Sequence, residues 1–241
     1  MIKDLPSKYK KNAHIGTKPL LNAATKTEDK RRLRENLLNV ELVWQIEGFD
    51  IPNYYSDDYN CQVIMFLCVE LNNIKNSEYI GKILQKAIKE LCIIKFYSKD
   101  KYCFCFAKKR LNKLNSNEIV IEDLYVTDLL SNDLSNDENE RINKYLDFNN
   151  IKNKSDKYNF YNEVLMRTFI CFNQRLFKKI DAFFNSDIWF KTQLVNDSYK
   201  NLRYLKELKF QALKASEISK RSEINSKIKA LIKDLEAKLC N

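Results

Sequence analysis

The residues 92–110, CIIKFYSKDKYCFCFAKKR, hold three of the seven cysteines, five aromatic residues and a terminal Lys-Lys-Arg. Thiolates could bind a metal or exchange disulfides, so spacing decides what this stretch can do. Structural zinc is held by paired thiolates, usually Cys-x2–4-Cys twice or combined with histidine. Here the close pair is Cys103-x-Cys105. In a strand these two side chains share a face, where they could meet one ion with Cys92 and with Cys61 or Cys68. No Cys-x-x-Cys redox motif occurs. The seven cysteines, Cys61, Cys68, Cys92, Cys103, Cys105, Cys171 and Cys240, are odd in number, irregularly spaced and mostly inside apolar runs. They read as compact hydrophobes in a buried hairpin, and neither a metal nor a cofactor is expected.

Other chemistries are thinly supplied. His14 is the one histidine, which removes the base that Ser-His or Cys-His nucleophiles need. Neither G-x-x-x-x-G-K-[ST] nor G-x-G-x-x-G occurs, so the phosphate-cradling loops of nucleotide-binding folds are missing. A magnesium-dependent nuclease needs two or three convergent carboxylates. The strand-borne candidates are Glu70 with Glu122 or Asp123.

Charge is the stronger signal. The net charge of +10 is concentrated at the ends: residues 1–34 carry +7, residues 200–241 carry +6 and the middle carries −3. Basic surfaces attract polyanions, phosphate backbones above all. The candidate nucleic-acid contacts are Lys30, Arg31, Arg32 and Arg34, then Lys108, Lys109 and Arg110, and finally Lys220 and Arg221. The competing reading of each cluster is a solvated face. The chain opens MIKDLPSKYKKN, unlike a secretory signal, and no apolar run approaches a membrane span. The expectation is a cytoplasmic protein with reduced thiols and no membrane contact.

These residues need elements to position them. Only three glycines and three prolines are present, which disfavours turn-rich sandwiches and favours an α+β fold with long helices. The pattern predicts an extended arm over 1–25 and a basic helix capped by Thr27. A half-buried strand follows with Val40, Leu42, Trp44 and Ile46 on one face. A central strand from Cys61 and a helix capped by Ser77 come next. The hairpin 92–109 then sets Tyr102, Phe104 and Phe106 on one face and Cys103, Cys105 and Ala107 on the other, before a last strand ending near Leu130. The sheet is thus expected to be small and mixed or antiparallel, with flanking helices. Residues 131–158 read as a polar linker with a short helix around 138–146, and 160–185 as one apolar helix. A heptad-like seam of Leu205, Leu208, Ile224, Ile228, Leu231 and Leu235 closes the chain, as one helix or a hairpin, and offers an interface to a partner helix or a second copy. The division expected is an α+β domain with a basic arm over 1–135, a linker and apolar helix over 136–198, and a basic coiled-coil-like region over 199–241.

The order of these features resembles the bacterial domain-of-unknown-function family 4391. The match runs through Leu5-Pro6, Ile15-Gly16-Thr17-Lys18, the basic helix and the Trp44 strand. It continues through Val69-Glu70-Leu71, the cysteine hairpin, Tyr125-Val-Thr-Asp128 and the basic seam SKRSEINSKIKALIKDLEAKL. The resemblance implies a protein encoded beside helicases and DNA methyltransferases of restriction or anti-phage systems, and carries no catalytic residues. The expected function is a non-catalytic accessory subunit contacting DNA, a helicase or a methyltransferase through its basic ends and C-terminal helices. Two alternatives stand beside it: a divergent magnesium-dependent nuclease and a structural coiled-coil oligomer without DNA contact.

Overall fold

A computed structural model describes residues 2–24, 26–131 and 137–239. In chain order, strand β1 (Lys10–His14), helices α1 (Thr17–Ala23) and α2 (Thr27–Asn36) and strand β2 (Leu37–Ile46) come first. A short ribbon of β3 (Tyr54–Tyr55) and β4 (Asn60–Cys61) leads into β5 (Ile64–Leu71), helix α3 (Ser77–Ala87) and β6 (Leu91–Ser98). The long hairpin of β7 (Lys101–Asn112) and β8 (Asn115–Val126) and the two-residue β9 (Leu130–Ser131) complete the strands. Helices α4 (Asp137–Tyr145), α5 (Lys157–Phe172), α6 (Ala182–Asn185), α7 (Thr192–Lys214) and α8 (Ile218–Leu239) follow.

Seven strands form one mixed sheet in the order β1-β2-β5-β6-β7-β8, with β9 also on β7. Only β5 and β6 run parallel, because α3 carries the chain back between them. Strand alternation then builds two cores. Val69, Cys92, Ile94, Cys103 and Cys105 face one side with Leu33, Ile80 and Leu84. Phe66, Ile93, Tyr102, Phe104 and Phe106 face the other with α5 and the outer helices. The hairpin therefore has the aromatic and small-residue faces expected of it, and the architecture is α+β with a mixed sheet flanked by helices.

The small face has a specific use. Gly81 of α3 sits so close to β7 that an added Cβ would lie 2.8 Å from Cys105 Sγ and 3.3 Å from Phe96. Gln85, one turn on and fully buried, donates to Cys92 O at 2.9 Å and accepts from Cys92 Sγ at 3.1 Å. Small side chains on the strand and none on the helix let the two backbones approach.

Several local expectations are corrected by tertiary contacts. The segment 1–25 is not an extended arm: β1 pairs with β2, α1 follows, and Ile2, Leu5 and Tyr9 are buried in the main core. On β2 the register shifts between Leu42 and Trp44, so Val43 is bulged. Val40 and Leu42 consequently face α3, whereas Trp44 and Ile46 face α5. Thr27 and Ser77 are first helical residues rather than caps, and Lys26 and Asn76 hold the cap positions without a side-chain bond. The apolar helix expected over 160–185 stops at Phe172. Asn173 turns its Nδ2 back onto Phe169 O at 2.7 Å, and a 3-10 turn and the short α6 follow.

Helix α5 is buried nearly all round, including its polar residues. Glu163 accepts from the backbone N–H of Lys152 at 2.9 Å and of Asn153 at 2.7 Å, and pairs with Arg167 Nε at 2.6 Å. The Arg167 guanidinium lies 4.8 Å from the Trp189 ring and 5.7 Å from Phe184. Buried residues from all parts of the chain, such as Phe66, Phe169 and Leu235, belong to this one core. The expected boundary at 135 falls outside the described residues.

Two outcomes test this packing. Gly81→Ala should cost about 1–3 kcal/mol in a urea unfolding titration, because neither Cys105 nor Phe96 can withdraw without moving the sheet. Arg167→Met should cost about 3–5 kcal/mol by stranding the buried Glu163 carboxylate, and adding Glu163→Met should restore only part of it, because the Lys152 and Asn153 N–H groups then lose their acceptor.

Candidate functional site

The basic helix α2 spends most of its charge internally. Arg31 pairs with Glu28 and Glu35, both at 2.7 Å, and Arg32 pairs with Glu28 at 2.9 Å. Hydrogen bonds from Arg31 and then Arg32 hold the Glu28 carboxyl down at about 2. Lys30 and Arg34 make no ion pair among the described residues. Of the four cations expected there to meet a polyanion, two are therefore neutralised by their own helix.

The fold supplies other cations to the same place. Between the α1–α2 junction and α3 lies a cleft of about 420 Å³ lined by Lys26, Lys82 and Lys86 together with Glu28, Asp29 and Tyr79. Tyr79 donates its hydroxyl to Asp29 at 2.7 Å, and the Arg32 guanidinium lies 5.5 Å from its ring. The hydrogen bond to Asp29 raises the Tyr79 phenol above its ordinary value. Lys26, Lys82 and Lys86 make no ion pair among the described residues. A second cleft of about 520 Å³ shares Tyr79 and Lys82, adds Lys75, and reaches Glu122 and Asp123 on β8. The two clefts meet at Tyr79 and Lys82 of α3, and their linings mix Lys26, Lys75, Lys82 and Lys86 with the carboxylates of Glu28, Asp29, Glu78, Glu122 and Asp123. From sequence, Lys82, Lys86 and Lys89 read as the solvated face of an amphipathic helix. No pattern signals that α2 and α3, fifty residues apart, share a cleft.

The cluster Lys108-Lys109-Arg110 is dispersed by the period of the strand. Lys109 points inward, where its ammonium is buried and donates to Ile88 O at 2.8 Å and Glu90 O at 2.7 Å. It closes the C-terminal end of α3 and is not available to DNA, which corrects its reading as a nucleic-acid contact. Arg110 pairs with Glu122 at 3.2 Å. Lys108 lies in a third cleft, of about 360 Å³, between β7–β8 and α7. Lys220 and Arg221 lie exposed on the first turns of α8.

The carboxylates proposed for a nuclease do not converge. Glu70 pairs with Tyr97 on β6, which pairs with Tyr102 on β7, whereas Asp123 pairs with Lys108. Three strand steps and six residues along β7 separate them, roughly 25 Å. That removes the combination of Glu70 with Glu122 or Asp123. Among the described residues no group of three or more His, Cys, Asp or Glu side chains is arranged to hold a metal ion.

The family model described as "domain of unknown function (DUF4391)" matches residues 4–235. The chain belongs to this family. No curated protein and no solved structure matches it.

In this DUF4391 protein the C-terminal seam closes within the chain. Helices α7 and α8 fold back as a hairpin, so the region is not one long helix. Leu205 and Leu235 are buried in the main core, and Leu208 and Ile224 in a cluster between the two helices that Ile228 and Leu231 flank. The residues expected to meet a partner thus meet one another. No helix among the described residues is long and apolar enough to cross a membrane.

The thiols are equally absorbed. Cys61 lies in the core under α5, across the sheet from Cys92, Cys103 and Cys105, so the sheet itself separates the ligands that a shared ion would need. Burial pushes the Cys103 thiol up to about 11 and those of Cys61 and Cys171 to about 12. Cys92 and Cys105 are raised by burial as well. A thiol is nucleophilic only as thiolate, so these five should resist alkylation by iodoacetamide at about pH 8 and react once the chain is unfolded. Peptide mapping of the modified cysteines checks this, and fast native labelling of Cys103 or Cys105 would contradict it.

Proposed function

We propose that this protein is a non-catalytic accessory subunit of a bacterial restriction or anti-phage defence complex that contacts DNA through its basic surface. The observation that carries the reading is the pair of clefts along α3: among the described residues Lys26, Lys75, Lys82 and Lys86 line them without ion pairs, beside Glu28, Asp29, Glu78, Glu122 and Asp123, while Glu28 and Glu35 neutralise the neighbouring Arg31 and Arg32. Cations without protein partners are those that can exchange counterions for phosphates. Tyr79, partly exposed at the junction of the two clefts, adds an aromatic face. The exposed Lys220 and Arg221 give the far end of the helical hairpin a second basic point. A helicase or DNA methyltransferase partner rests on the family resemblance, and the free thiols suit a cytoplasmic setting.

The non-catalytic part of the reading is supported by the dispersal of Glu70, Glu122 and Asp123 and by the depth of the thiols. A self-assembling coiled coil gains no support, since the seam that would drive it is occupied by the hairpin.

Fluorescence anisotropy of a labelled DNA duplex against salt tests the reading. Binding should weaken steeply as salt rises. Lys82→Glu with Lys86→Glu should reduce affinity at least about tenfold and lower the salt slope by about 2, because two phosphate contacts are lost. Undiminished binding by that variant, or no binding by the parent even at about 50 mM salt, would remove these clefts from the function.

A further inference from the structure

Lys108 stands apart from the other lysines of this chain. Its side chain lies at the base of the third cleft, donating to Asn196 Oδ1 at 2.7 Å, with its ammonium 4.8 Å from the Tyr199 ring centroid. Asp123, its partner across the β7–β8 register, is committed elsewhere. Its carboxylate accepts from the Tyr199 hydroxyl at 2.7 Å and from Arg203 Nη2 at 3.1 Å, so it forms no ion pair with Lys108. Lys200, a second cation, lines the cleft, and among the described residues Arg203 commits only Nη2 of its donors to protein oxygens. The arrangement is an amine on an aromatic floor, the Asp123 carboxylate locked in place beside it, and Lys200 and Arg203 in a lining that also holds Glu207 and the Arg110-paired Glu122.

We propose that Lys108 is a reactive amine that captures a small aldehyde carrying an anionic group as an imine, with Lys200 and Arg203 holding the anionic group. The nitrogen lone pair forms a bond to the carbonyl carbon. A proton passes from nitrogen to the former carbonyl oxygen through solvent in the cleft, giving a carbinolamine. The hydroxyl then takes up the remaining nitrogen proton through solvent and leaves as water, so the C–O bond breaks and the nitrogen lone pair forms the C=N bond. No oxidant or reductant enters, and hydrolysis reverses the capture. The activity goes beyond DNA contact and is independent of it.

The surroundings supply the free amine this step requires. Burial pushes the Lys108 ammonium down to about 8. Asp123 and Glu122 on β8 and Asp197 on α7 oppose that shift, and Lys200 on α7 reinforces it. A lysine so placed holds on the order of a hundredfold more free amine at neutral pH than an ordinary one. Desolvation and a neighbouring cation are the physical means by which imine-forming lysines are activated.

The test uses the full chain, pyridoxal 5′-phosphate as the probe and cyanoborohydride to trap the imine, with labelled lysines located by peptide mapping. Lys108 should label at least about tenfold faster than the exposed Lys82 and Lys86. Its labelling should rise with a midpoint near pH 8, as the ammonium loses its proton. Pyridoxal, which lacks the phosphate, should label it several-fold more slowly, and the exposed substitution Lys200→Ala should narrow that difference. Labelling of Lys108 no faster than of Lys82 and Lys86 would overturn the proposal. So would equal rates with pyridoxal and its phosphate, or a midpoint near that of an ordinary lysine.

Discussion

The Glu163–Arg167 pair is the constraint around which the outer half of the protein is organised. Both side chains are buried, so the two charges must be compensated by protein groups. The carboxylate meets this need by drawing the backbone of Lys152 and Asn153 onto α5. Asn153 then reaches on to Trp189 O at 2.6 Å, and Trp189 and Phe184 stack on the guanidinium. A segment whose composition resembles a linker is thereby locked to the core. Lys157 repeats the device at the start of α5, donating to Gly48 O at 2.7 Å and to Ile51 O and Asn53 Oδ1 at 2.6 Å each. Tyr161 ties the same helix to the sheet by accepting from Ala107 N at 2.9 Å and donating to Ala107 O at 3.0 Å. Such contacts destabilise strongly when one partner is lost, even where an apolar replacement of both would be tolerated.

The sheet determines where charge can act. A strand turns alternate side chains to opposite faces, so three consecutive cations on β7 go to three different environments: a cleft, the core and an ion pair. The same alternation puts cysteines under α3 and aromatics under α5. The outer edge is guarded. Strand β8 carries Glu118, Glu122 and Asp123, departs from regular register near Lys108, and has Leu124 O bonded by Arg203 at 3.3 Å. Charge and irregularity on a long edge strand disfavour pairing with another chain. Its neighbours on α3 and α7 instead frame clefts on either side of it.

Net charge alone misplaces the basic surface. Arg31 and Arg32, at spacings of three and four from glutamate, are paired along their own helix, whereas Lys82, four residues after Glu78, makes no ion pair among the described residues and stays exposed. Which cations could meet a polyanion is therefore set by which remain unpaired after folding. Lys108 owes its character to the same principle, since its nearest carboxylate is held by Tyr199 and Arg203.

Local pattern by itself determined the order of β2, β5, α3, β6, β7 and β8, the two faces of the cysteine hairpin, the apolar stripe of α3 and the seam of the last two helices. Those features depend on periods of two and near three and a half, which short stretches of sequence carry directly. The tertiary structure alone decided the rest. Pairing with β2 recruited the N-terminal segment, a bulge at Val43 sent Trp44 to the opposite face, and Asn173 ended a helix whose apolar pattern continued. The candidate site lies wholly in this second class. Lys82 and Lys86 were visible as exposed residues, but their meeting with Lys26, and the separation of Glu70 from Asp123, follow from strand order and helix crossing. Those depend on contacts between residues far apart in the chain, and no local periodicity encodes them.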